Sequence, residues 1–264
     1  MTASDTVFAG SVPRQYDRHL GPLLFEPYAD EVARRAQALA PSRILETAAG
    51  TGIVTAALAD ALPDAEIVAT DLNPDMLAVA RERLGSGNVR LQPADAQDLP
   101  FEDGSFDLVV SQFGVMFYPD KATGNAEARR VLRDGGTYMA IIWDDLDRNP
   151  VSRAIHDALQ DEFPENPPQF LRRAPFGYAE RDRIEDDMRA GGFGDIRIEA
   201  VELSSRVSAR GAAQGMCMGS PMTAELAERG EGAVERAAEA AERALQDFDG
   251  KDAPMSALFV TATR

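Results

Sequence analysis

Three acids spaced around a glycine turn are the residues of this sequence best suited to chemistry. Glu46 ends an apolar run (Ile44, Leu45) and is followed by Thr47, Ala48, Ala49, Gly50, Thr51 and Gly52 before an apolar helical pattern begins at Ile53. Glycines at such a turn let the backbone approach a ligand, and the free N–H groups of a first helical turn point at whatever is bound. A carboxylate beside the turn would repel a phosphate and suits a ligand group that carries positive charge. Asp71, about 20 residues past the glycines, is placed to accept hydrogen bonds from both hydroxyls of a ribose. Asp95, just past the next strand signal, could accept from the amino group of an adenine. A fourth block, residues 106–120 (FDLVVSQFGVMFYPD), reads as a buried strand ending at Ser111, with Gln112 and Phe113 beyond it.

Alternating elements must hold these residues together. A helix is expected from about Glu26 to Leu39, stopped by Pro41. Strands are expected at Ile44–Leu45, Glu66–Thr70, Val89–Leu91, Phe106–Ser111 and Thr137–Trp143. Helices fall between them at Ile53–Leu62, from Asn73-Pro74 to Gly85, and at Ala126–Leu132. Near-continuous apolar strands in this alternation indicate a parallel sheet covered on both faces by helices. In an open parallel sheet, all four blocks above would meet at the carboxyl ends of strands, where ligands bind. After Trp143 the pattern changes. Asp144–Tyr178 reads as an insertion with a helix at Val151–Phe163. A helix at Arg181–Ala190 and the strand IRIEAVEL then resume the core. Ser208–Phe248 is helical and alanine-rich, and the chain closes on an apolar strand at Ala257–Ala262.

Composition narrows the function. The 264 residues carry a formal net charge of -17, which repels a nucleic-acid backbone over the whole surface. One cysteine, Cys217, and two histidines, His19 and His156, leave no basis for a disulfide within the chain or for a metal site. The first 20 residues hold no apolar core of signal-peptide length, and no window approaches a membrane span. A cytoplasmic protein without membrane contact is expected, with the start of the chain as a flexible tip leading into Tyr16–Leu24. No linker divides the chain, so residues 1–264 read as one domain.

The four blocks together resemble the class I S-adenosylmethionine-dependent methyltransferases, in particular the small-molecule, ubiquinone-biosynthesis-like group (methyltransferase type 11). The resemblance covers roughly Tyr16 to Arg206 and is strongest from Arg43 to Trp143. ILETAAGTG matches the family's acid-x-G-x-G-x-G loop, with Ala48 where the first glycine is usual. ATDLNPDML, ADAQDLPFEDGSFDLVVSQF and RRVLRDGGTYMAIIW match the following blocks in order. The resemblance implies an α/β fold, a seven-stranded Rossmann-like sheet that is mostly parallel with an antiparallel last strand, carrying helical cap insertions at 144–178 and 208–248 over the acceptor. It implies S-adenosylmethionine as cofactor. Glu46 and the turn at Thr47, Ala48, Gly50 and Gly52 would hold the methionine end, Asp71 and Leu72 the ribose, and Met76, Asp95 and Ala96 the adenine. Ser111, Gln112 and Phe113 would complete the site. Tyr16 and Phe25 would close over the donor.

The partner implied is a small, apolar methyl acceptor reacting through O, N or C. Phe163, Phe170, Phe176, Tyr178, Met216, Met218 and Met222 are candidates for an apolar acceptor pocket, whereas Trp143 reads as core and Cys217 as a small residue in the cap. His19 and His156 are the candidate bases, each also readable as structural, and the base is left unassigned. Three alternatives compete. An NAD-dependent oxidoreductase shares the strand–glycine–helix unit, although Thr55 replaces its third glycine and no Tyr-x-x-x-Lys is present. A non-catalytic S-adenosylmethionine-binding protein would keep the turn and Asp71 without turnover. The third is methylation of protein or RNA, of which RNA is disfavoured by the acidic surface and the lack of a basic extension. Sequence leaves the acceptor and the oligomeric state open.

Overall fold

Short apolar runs become the inner strands of a sheet that buries both faces. A computed structural model describes residues 12–85 and 87–264. Residues 1–11, the greater part of the expected flexible tip and of the signal-peptide reading, lie outside the described residues, whereas the end of that tip, Val12–Gln15, is helical. A single turn, α1 (Val12–Gln15), leads into a π-type helix over Tyr16–Phe25 and then α2 (Glu26–Leu39). The alternation follows as β1 (Arg43–Thr47), α3 (Ile53–Ala61), β2 (Glu66–Asp71), α4 (Pro74–Leu84), β3 (Val89–Pro93), β4 (Phe106–Gln112), α5 (Lys121–Val131) and β5 (Leu132–Trp143). After it come α6 (Pro150–Glu162), α7 (Phe170–Arg173), α8 (Arg181–Ala190), β6 (Asp195–Arg206), α9 (Ala209–Met218), α10 (Met222–Ala227), α11 (Ala233–Ala244) and β7 (Asp252–Thr263).

The strand order is β3-β2-β1-β4-β5-β7-β6. The first five strands pair in parallel, and β7 runs antiparallel between β5 and β6. The α/β, seven-stranded, mostly parallel expectation therefore holds. Inserting β7 antiparallel distinguishes this sheet from the all-parallel dinucleotide fold. The inner strands are buried along almost their whole length, whereas edge strand β6 is buried nowhere along it. Its charged residues blunt that edge against pairing with another chain. The Tyr28 hydroxyl of α2 donates to the Met255 carbonyl at 3.0 Å, tying the N-terminal helices to β7.

Several boundaries differ from those expected, among them that of β5, which starts at Leu132 rather than Thr137 because Leu132 already pairs with Phe106 of β4. Helix α5 starts at Lys121 rather than Ala126, because the Asp120 side chain accepts from the Thr123 N–H and caps it. Strands β6 and β7 run 12 residues each, since each is a ladder partner along the other's full length. The helical stretch Ser208–Phe248 is broken into α9, α10 and α11, where Ser220-Pro221 and Gly230 to Gly232 interrupt it. In this segment, α9 packs on the π-type helix and α11 packs on α9 and α6. No helix among the described residues is long and apolar enough to cross a membrane.

Candidate active site

The carboxyl ends of β1, β2, β3 and β4 open into one cleft of about 500 Å³. Its floor is the turn after β1. Ala48 and Gly50 both take left-handed φ values, 54° and 56°, and line the cleft. Gly52, at φ 76°, lies beneath it, where a Cβ would stand 3.0 Å from the Cβ of Ala80. Gly52 thus sets the packing of α3 on α4 and does not reach the cleft. Asp71 ends β2 and holds the turn from the other side. Its Oδ2 accepts from the Gly50 N–H and its Oδ1 from the Asn73 N–H, both at 2.8 Å. Burial raises the Asp71 pKa against the opposing pull of these two N–H bonds.

Asp95 faces the cleft after β3, with Oδ1 accepting from the Gln97 N–H at 2.8 Å. Among the described residues its Oδ2 has no hydrogen-bond donor, which leaves it available to a ligand. Leu72 is 65 % exposed at the mouth, an unusual position for a leucine, and Met76 lies buried below it. Both offer apolar surface to a planar ring. Tyr16, Ala96, Gln112 and Phe113 complete the expected residues that the fold brings together here.

Other expected residues are placed elsewhere. Glu46 is 2 % exposed and lies outside the cleft lining, with Oε2 accepting from the Thr55 hydroxyl at 2.6 Å. Burial, with the nearby Asp71 carboxylate adding to it against the Thr55 bond, pushes its pKa up to about 8. Thr47 and Ser111 are buried under the floor, and each hydroxyl stands 3.1 Å from the Tyr118 hydroxyl. Phe25 stacks on Tyr16 with ring centroids 4.8 Å apart, but it faces a neighbouring cavity rather than the cleft. Neither histidine lines either space. His19 packs against Gly211 and Gly215 of α9, and His156 accepts from Arg172 Nε through its Nε2 at 3.1 Å.

Sequence reasoning missed Tyr118, Gly114, Asn73 and Gln97, which also line the cleft. Tyr118 was findable, because Gly114 and Pro119 bracket a tight turn directly after β4. A 3-10 turn at Val115–Phe117 folds that segment back, so that the phenol reaches under the β1 end. Trp143, read as core, is buried yet also lines the neighbouring cavity, stacked on Phe113 at 3.9 Å between centroids. Of the candidate pocket residues in the cap, Phe170, Phe176 and Met216 line that cavity, whereas Phe163, Tyr178, Met218 and Met222 do not.

This arrangement of strand ends, glycine turn and paired acids has counterparts among known proteins. Residues 44–136 match the family model described as a methyltransferase domain. Over that stretch the core is similar to a methyltransferase domain. A malonyl-[acyl-carrier protein] O-methyltransferase of Geobacter sulfurreducens is 34% identical over 164 residues, 62% of this chain and 60% of that protein. A demethylmenaquinone methyltransferase of Deinococcus radiodurans is 36% identical over 144 residues, 53% of this chain and 59% of that one. The chain thus spans about three fifths of the length of these curated relatives. Among solved structures, the YcgJ protein of Bacillus subtilis superposes with a TM-score of 0.59 at 16% identity, covering 90% of this chain and 98% of that one, which shows a shared fold. The resemblance drawn from the four blocks is borne out over the methyltransferase domain, and the oxidoreductase alternative finds no support.

Proposed function

We propose that this chain transfers a methyl group from S-adenosylmethionine to a small organic acceptor. The observation that carries the reading is the joint presence of Asp71 and Asp95 in one cleft, bounded by a left-handed glycine turn and the exposed side chain of Leu72. These residues fit the nucleoside half of the donor. Asp71 has lone pairs left beyond its two backbone bonds for ribose hydroxyls, and Asp95 Oδ2 is open to an adenine amino group. Leu72 and Met76 would flank the base. Gly50 leaves room for the methionyl chain, and Tyr16 would shut the cleft from the N-terminal side. S-adenosylmethionine, when bound, supplies a methyl group already activated on a sulfonium. The protein's task is then to orient the reactants and exclude water.

Glu46 fits less simply than the sequence implied. Held by Thr55 below the turn, it would act on the donor's positive charge through the floor, as a buried acid whose ionisation that charge favours. The net charge of -17 supports a small-molecule rather than a nucleic-acid partner. The single buried cysteine is compatible with a cytoplasmic setting, which belongs to the same proposal.

Calorimetric titration with S-adenosylhomocysteine tests the reading, with NAD as comparison. Micromolar binding that weakens at least about tenfold, or roughly 1.4 kcal/mol, in Asp71→Asn is expected. Absence of binding, or preference for NAD, would overturn the function and leave the fold standing.

A further inference from the structure

Beside the cleft, the π-type helix and both cap segments enclose a second cavity of about 60 Å³. It shares Tyr16, Phe113 and Phe117 with the cleft, so the two spaces meet along one aromatic wall. Trp143, Phe176 and Met216 are typical of the rest of its lining. Among the described lining residues only Tyr16, Trp143 and Ser220 carry an O–H or N–H on the side chain, and none of the three is an ionised group or a base of ordinary strength. Ser220 is already committed, its hydroxyl donating to the Met216 carbonyl at 2.6 Å and accepting from the Met222 N–H at 3.2 Å. The Tyr16 phenol is kept neutral by burial, reinforced by the Asp71 carboxylate. No carboxylate, amine, imidazole or guanidinium of the described residues lines the cavity. Both histidines are engaged away from it, His19 against α9 and His156 with Arg172.

Such a wall discriminates in two ways. A permanently charged group entering it would lose hydration and find no partner. A nucleophile that had to give up its proton during the reaction would find no base in this lining to take it, since the acids of the neighbouring cleft, Asp71 and Asp95, belong to the nucleoside end of the donor in the reading above. We infer that the acceptor has an uncharged, apolar body and a nucleophile acidic enough to ionise in water before it reacts, as in a phenol, enol or thiol. This rests on the methyltransferase reading above. The atoms and charges balance without a protein base. The proton leaves to solvent first, and the anion's lone pair forms the new bond to the methyl carbon. The carbon–sulfur bond breaks with its electron pair retained on sulfur, so anion and sulfonium become two neutral products.

The test uses the full chain saturated with S-adenosylhomocysteine, and p-cresol, 4-hydroxybenzoate and tyramine as matched probes. Tighter binding of p-cresol, by about tenfold or more, is expected. Equal or tighter binding of either charged probe, or no binding of any of the three, overturns the inference. Transfer of labelled methyl to 4-nitrophenol, 4-chlorophenol and p-cresol is then followed against pH. The rising limb should move with the ionisation of each phenol. One limb common to all three, or no transfer to any, is the contrary result. Met216→Phe, which fills the cavity, should weaken p-cresol and leave S-adenosylhomocysteine affinity unchanged. Undiminished p-cresol binding in that variant also overturns the inference, and if the variant loses both ligands the comparison of probes on the natural chain decides. Failure to bind S-adenosylhomocysteine at all would instead strike the proposed function, so the two failures are told apart.

Discussion

A Cβ built on Gly114 would stand 2.5 Å from the Cβ of Ala48 and 2.9 Å from the hydroxyl of Ser111. Alanine at 48 therefore makes glycine obligatory at 114, and the two positions form one steric unit across the cleft floor. Gly114→Ala should cost about 1–3 kcal/mol through overpacking. Ala48→Gly should recover much of it, because it removes the clashing methyl and relieves a left-handed φ of 54°. Thermal or urea denaturation of both single variants and the double variant gives the coupling, and strict additivity would contradict the contact. Glu46 supplies a second expectation. Its carboxyl ionises near 4.5 when exposed but keeps its proton up to about 8 in the fold. Between those values the folded state binds more protons than the unfolded one, so this group's contribution to stability falls as pH rises and levels off above about 8. Glu46→Gln should match the natural protein near pH 5 and exceed it by a few kcal/mol, in order of magnitude, near pH 8. Parallel denaturation curves at the two pH values check this, and a constant gap would contradict it.

Among the elements, legibility followed the directness of the signal. The strand ending at Glu46, the helix opened by Asn73-Pro74 and the buried strand ending near Ser111 were readable because apolar runs and a capping pair mark them locally. The start of α5 was misplaced because Asp120 and its partner Thr123 sit in a polar stretch without apolar period. The full lengths of β6 and β7 were hidden because ladder pairing, not residue type, extends them. At the site, the acids at strand ends were legible as positions but not as orientations. Glu46 was expected at the ligand, yet Thr55, nine residues on, draws its carboxylate under the turn. Phe25 was expected at the donor and faces the second cavity, because its place on the π-type helix follows from packing against α9 and the sheet. Likewise, no local signal showed that Arg172, sixteen residues away, would occupy His156.

For the molecule as a whole, the sheet gathers one cleft from four strand ends while both cap segments and the N-terminal helix build the cavity beside it. The division accords with the function proposed above, in which acids would hold a polar donor and rings an apolar acceptor. Trp143 is the single tryptophan of the chain, and it stands in the wall of the second cavity, face to face with Phe113. The protein therefore carries its own optical probe in the wall between the two spaces. Selectively excited indole emission should change intensity or colour when an apolar guest enters and should respond far less to the nucleoside alone. A stopped-flow trace of that emission would time the guest's arrival without any label.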